Sequence, residues 1–162
     1  MRVVIYSNNQ TKLFFMIDEI LKMLKNEVGS QIVEKADIPA DKIDGIMNVI
    51  GDSAKSEVVS QLTSGNLSTM MNLFSSNENS HGANDLQSRI QNNIISGLIQ
   101  KLGLSESIAN TISNIAVPAL IGLITKKNNE TPDDDPSPLN DIFGNVLGNN
   151  KKGGNILGNL FN

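Results

Sequence analysis

Cysteine is absent from this 162-residue chain, and so is tryptophan. The first absence excludes disulfides, thiolate nucleophiles and thiolate-ligated zinc or iron–sulfur centres. It also fits a reducing compartment, and a cytoplasmic location is the expectation. Aromatic residues make up only 4% of the chain, so a core must be packed by Ile, Leu, Val and Met, with few rigid rings to grip a ligand. No stretch of about 18 residues is continuously apolar, and the opening segment lacks the unbroken apolar run of a secretory signal, so integral membrane insertion is not expected. Thirteen basic residues against seventeen acidic ones leave a formal charge of -4, which gives no general attraction to nucleic acid or to an anionic membrane.

The motifs of chemistry are sparse as well. No glycine-rich phosphate loop follows a strand, no paired histidines fall at metal-ligand spacing, and no Ser-His-acid set can be assembled, so the expected catalytic, metal and cofactor residues are none. The lone histidine, His81, lies in the polar run SSNENSHGAN at Ser75 to Asn84. It reads as a solvated loop residue. Three aspartates at 133–135 lack the alternating ligands, central glycine and late glutamate of a calcium loop.

What is present is helical periodicity. Leu86, Ile90, Ile94, Leu98 and Leu102 recur at steps of four, with Ile95 and Ile99 widening the stripe. Gly103 is placed to close that helix in the left-handed conformation, and Ser105 to cap the next one. The following segment, from Ile108 through Ile124, is apolar around so much of its circumference that a place inside a bundle is expected. Pro118 removes a backbone hydrogen bond there, so a kink near Ala116 or a restart at Pro118 is expected.

Upstream, Ile20, Leu21, Leu24, Val28, Ile32 and Val33 mark a helix from Asp18 to about Lys35, and Asp37-Ile38-Pro39 a corner. Helical spacing resumes over Asp41 to Ile50. Gly51-Asp52-Ser53 reads as a break or bend, Ser64-Gly65 as a stop, and Leu67 to Phe74 as a further short helix or apolar plug. Met1 to Phe15 has two readings. One is a short strand, VVIY, followed by a polar turn at Asn8 and Asn9; the other is an extension from a misassigned start ahead of Met16.

An internal repeat links the two regions. Ile32 to Lys35 with Ile38 aligns with Leu98 to Lys101 with Leu104 at an offset of 66. After a one-residue adjustment in the corner, Ile43, Met47, Ile50, Ala54, Val58 and Val59 align with Ile108, Ile112, Ile115, Ala119, Leu123 and Ile124 at an offset of 65. The expected fold is therefore all-α: a compact helical bundle over residues 16–127, made of two related helix-corner-helix halves, 16–74 and 85–127, joined by linker 75–84.

Beyond it lie an acidic, proline-rich linker and a Gly/Leu/Asn-rich amphipathic tail, residues 128–162, expected to be flexible. The tail repeats itself at an offset of 14, IFGNVL at Ile142 to Leu147 returning as ILGNLF at Ile156 to Phe161. Its apolar positions, Ile142, Phe143, Val146, Leu147, Ile156, Leu157, Leu160 and Phe161, are the candidate contacts for a protein partner or for a second copy of the chain. A cap over the chain's own bundle is the competing reading of the same residues.

The residues GLIQKLGLSESIANTISNIAVPALIGLI at Gly97 to Ile124, above all the LGLS corner and the VPALIGLI run, resemble the bacterial YidB-like family, an all-helical domain of unknown function. The resemblance extends over Met16 to Lys127 and implies a compact helical domain. It transfers no catalytic residue. The extension before Met16, the many asparagines and the DDDPSP linker depart from the family pattern.

Three functional classes follow. The first is a non-enzymatic interaction or scaffold protein that uses its tail, self-association included. The second is a nucleic-acid reader of helix-turn-helix type, for which the helix after the first corner offers only Lys42, Asn48 and Lys55 among Asp41, Asp44, Asp52 and Glu57. The third is a small helical enzyme with a pocket near Pro118.

Overall fold

The computed structural model describes the backbone of residues 8–129 and the side chains of residues 15–127, Leu62 excepted. Five helices follow one another: α1 (Asn8–Ala36), α2 (Ile43–Thr63), α3 (Leu67–Leu73), α4 (His81–Leu102) and α5 (Glu106–Asn129), with a single 3-10 turn at Ala40–Lys42 leading into α2. The all-α bundle expected from periodicity is what forms.

The four long helices close into a ring. α1 packs most extensively on α5 and α2 on α4, while α1 with α2 and α4 with α5 complete the circuit. Exchanging the two halves turns α1 into α4 and α2 into α5, so the α1–α5 interface becomes the α4–α2 interface. Each half thus covers its apolar stripe with the other half, and neither has a closed core alone. A core of Ile20, Leu24, Ile32, Ile46, Ile50, Ile94, Leu98, Ile112 and Val117 fills the centre.

The internal symmetry is tighter than the sequence alignment. Ile17, Ile20, Leu24, Val28 and Ile32 are buried in α1, and the residues 66 positions later, Ala83, Leu86, Ile90, Ile94 and Leu98, are buried in α4. The same offset of 66 pairs Ile43 with Ala109, Ile46 with Ile112, Ile50 with Ala116 and Ala54 with Leu120, all buried. The one-residue adjustment is therefore incorrect: it matched isoleucine to isoleucine, whereas the fold conserves the inward direction and lets Ala109 face Ile43's counterpart space. In this register Pro118 is the equivalent of Asp52, and both are exposed.

Both corners use one device. Gly103 closes α4 at φ 65° and donates to the carbonyls of Ile99 and Leu98, and Leu104 N–H reaches Leu98 O at 3.3 Å. At the matching place Asp37 takes φ 51° and Ile38 N–H reaches Val33 O at 3.2 Å. Ser105 Oγ then accepts from Ile108 N–H, the cap expected of it. Since only glycine takes a left-handed backbone without penalty, Gly103→Ala is expected to lower stability by about 1 kcal/mol and Asp37→Gly to leave it equal or raised. Urea denaturation of the two variants checks both signs.

Several boundaries differ from expectation. α1 begins at Asn8 and runs through Met16, so the expected turn at Asn8-Asn9 is helix instead; asparagine favours turns and helix starts alike, and the sequence could not separate them. The expected strand over Val3 to Tyr6 lies outside the described residues. α4 starts at His81, where Ser80 Oγ accepts from Ala83 N–H, so the linker is shorter than 75–84 and His81 is an exposed first-turn residue.

α2 is unbroken through Gly51-Asp52-Ser53 because these residues serve interfaces. A Cβ on Gly51 would collide with Leu21, and Ser53 Oγ donates to the carbonyl of Asn93 at 3.4 Å. α5 likewise continues through Pro118 without a restart; its ring faces solvent, away from the packed side.

Close approach of α2 and α4 depends on Gly97, where a Cβ would lie 2.8 Å from Val49 Cγ1. Val49 is buried and stiff at χ1, so it has little freedom to yield. Gly122, exposed in α5, has nothing within 4 Å of such a Cβ. Gly122→Ala is expected to stabilise by about 0.5–1 kcal/mol through helix propensity, and Gly97→Ala to destabilise by about 1–2 kcal/mol after that gain is offset by overpacking. Opposite shifts of the thermal midpoint are the check.

Candidate functional site

An enclosed cleft lies at one end of the ring, where the start of α1, the end of α5 and the middle of α2 meet. It is small, about 30 Å³, and is lined only by apolar residues, among them Met16, Ile17, Ile20, Val58, Leu120 and Ile124. Phe74 and Ile90 close it from the α4 side. Its rim is apolar too: Met16, Val58, Ile121 and Ile124 are half-buried, and Phe15 beside them is 70% exposed. A cavity of this size admits one or two side-chain groups and offers no polar atom to orient a substrate.

Two salt bridges frame that end. Lys127 Nζ sits 3.0 Å from Glu19 Oε1, and Lys55 Nζ 3.0 Å from Asp18 Oδ1. Lys127 fixes where α5 delivers the rest of the chain: one turn from Met16, at the mouth of the cleft.

Pro118, near which a pocket was expected, does not line this cleft. Pro118 points outward, and the cleft begins at Leu120, two residues on. A second opening, about 380 Å³, lies between α1 and α2 beside Lys25, Asn26, Ser30 and Ala40. It is shallow, and its one charge, Lys25, is already paired with Asp44. Among the described residues no group of three or more His, Asp or Glu side chains is arranged to hold a metal ion.

The surface of α2 is of mixed sign. Lys55 pairs with Asp18, Asp44 with Lys25, and Asp52 lies 3.6 Å from Lys101. Lys42 and Asn48 are exposed beside these groups, and the exposed carboxylates of Asp44 and Asp52 on the same helix oppose a phosphate backbone.

A buried polar cluster centred on Glu57 lies between α2 and α4, while the buried Ser113 of α5 donates separately to the carbonyl of Gln91 at 3.4 Å. Glu57 is 7% exposed; Gln61 Nε2 donates to its Oε1 at 2.8 Å and Asn93 Nδ2 to its Oε2 at 2.9 Å. Each carboxyl oxygen has a partner, so the cluster is satisfied within the fold. A glutamate such as Glu57 gives no sign of burial in sequence until its neighbours are known.

All eight tail candidates, Ile142, Phe143, Val146, Leu147, Ile156, Leu157, Leu160 and Phe161, lie outside the described residues. The long apolar helix α5, residues Glu106–Lys127 with mean hydropathy 1.6, is long and apolar enough to cross a membrane by length and composition. In the bundle, Ala109, Ile112, Ala116, Val117, Leu120 and Leu123 of this helix are buried, as in a core helix of a compact fold. No family model, curated protein or solved structure matches the chain.

Proposed function

We propose that this protein is a non-enzymatic interaction or scaffold module in which the bundle carries and positions the C-terminal tail. The observation that carries this reading is the apolar rim of Phe15, Met16, Ile121 and Ile124 at the end where α5 hands over to a tail containing two copies of one amphipathic pattern. Such short apolar patterns bind by laying one helical face into a groove of another chain. Family membership is a further proposal, and it rests on Gly97 to Ile124.

The test compares the full-length chain with its Leu157→Asp/Phe161→Asp variant as baits in native cell extract. A protein held by the first and lost from the second supports the reading; equal retention by both removes the tail from recognition. Light scattering of the two chains over a wide concentration range addresses self-association. A mass that rises with concentration only for the unsubstituted chain supports it, and constant monomer masses remove it.

A further inference from the structure

The fold is symmetric except for α3. In the first half, α2 is followed by α3, which packs on α4 and also touches α2. The contact with α4 is at its first turns: a Cβ on Gly82 would lie 3.3 Å from the side chain of Thr69, and Asn72 Oδ1 accepts from Ser80 N–H at the same end. Met70, Leu73 and Phe74 are the buried residues that α3 and its C-cap supply.

The offset of 66 carries Gly82, Ala83 and Leu86 onto Met16, Ile17 and Ile20. These three residues line the apolar cleft. The cleft therefore lies where the counterpart of α3 belongs, and no described helix occupies that place.

The chain that leaves α5 contains a matching segment. Leu67, Met70, Met71, Leu73 and Phe74 form the pattern of α3; Leu139, Ile142, Phe143, Val146 and Leu147 repeat it with one extra residue before the last pair. Nine residues, 130–138, separate Asn129 from Leu139, and extended they reach roughly 30 Å. The cleft mouth is far nearer than that, since Ile124 lines it and Lys127 stands beside Glu19. The later copy lacks a counterpart of Leu139, having Gly153 there.

We propose that residues Leu139 to Leu147 dock on Met16, Ile17, Ile20, Ile121 and Ile124 of the same chain as the symmetry mate of α3. The two tail copies then have different roles: the first completes the bundle, and the second, Ile156 to Phe161, extends from it. The docking needs no partner and stands whether or not the interaction reading does.

The experiment uses full-length chains, which have no native cysteine. A nitroxide is attached through Asn145→Cys, or separately through Asn159→Cys, and isoleucine methyl spectra are recorded with the labelled chain diluted into unlabelled, isotopically silent chain. Docking predicts strong broadening of Ile17, Ile20, Ile121 and Ile124 from position 145, weaker broadening from 159, and little at Ile38 and Ile43 at the other end. It further predicts that adding Ile142→Asp/Phe143→Asp relieves the broadening, with the Ile38 and Ile43 methyls unmoved to show that the bundle is intact.

Broadening that survives the aspartate pair comes from tethering alone and overturns the proposal, as does stronger broadening from 159. Broadening seen only when labelled, isotopically silent chains are mixed with unlabelled, isotope-enriched ones places a second copy in the cleft, and likewise overturns it.

Discussion

Ile32→Ala and Leu98→Ala are each expected to lower the stability of the bundle by about 2–5 kcal/mol, and by amounts close to one another. Both side chains are fully buried, and they occupy equivalent places one turn before the two corners. The transfer term is the same to within a branch point, and the cavity term depends on how far the surroundings relax. Those surroundings are related: α1, which holds Ile32, packs most extensively on α5, and α4, which holds Leu98, on α2, and the halves exchange these helices. A domain of this size has about 5–15 kcal/mol in total, so the double variant is expected to be largely unfolded at 37 °C. Urea unfolding followed by far-ultraviolet dichroism reads all three. A loss at one site more than twice that at the other would mean that the symmetry of burial is not a symmetry of packing.

The helices were legible in the sequence because apolar side chains at steps of three and four report burial directly. Gly103 and Ser105 were legible for a different reason: a left-handed closing residue and a side-chain cap are local requirements, met within a few residues of the chain. What misled was glycine and proline inside α2 and α5. Gly51 and Pro118 carry a helix-breaking propensity of about 1 and 3 kcal/mol, yet Gly51 lies where Leu21 needs its space and Pro118 where the lost ring of contacts faces water. Tertiary packing outweighed local preference at both.

The register of the repeat was missed by one residue in its second part for a related reason. Sequence comparison rewards like residues, and Ile43 resembles Ile108; burial rewards like directions, and Ile43 corresponds to Ala109. The apolar cleft was invisible in the sequence, since it is made by residues from four helices with no shared spacing. Its significance depends on the offset of 66 in the first part of the repeat, which brings Gly82 and Met16 into correspondence.

The buried carboxyl of Glu57 supplies the second large effect. Its counterpart in the other half is the buried Leu123, so the site tolerates an apolar side chain by shape. Glu57→Leu nevertheless leaves Gln61 Nε2 without its acceptor, and Gln61 is only 3% exposed, so water cannot replace the lost bond. An unsatisfied buried donor costs about 1–3 kcal/mol, and that loss is expected of the single variant. Asn93 is exposed and can turn its amide to solvent, so it adds little. Removing the stranded donor as well, in Glu57→Leu/Gln61→Leu, exchanges a polar pair for an apolar one and is expected to return most of the stability. A double-mutant cycle measured by urea denaturation should then show coupling of at least about 1 kcal/mol. If the double variant falls by the sum of the singles, the pair contributes through packing alone, and the Gln61–Glu57 hydrogen bond within α2 is incidental to the fold.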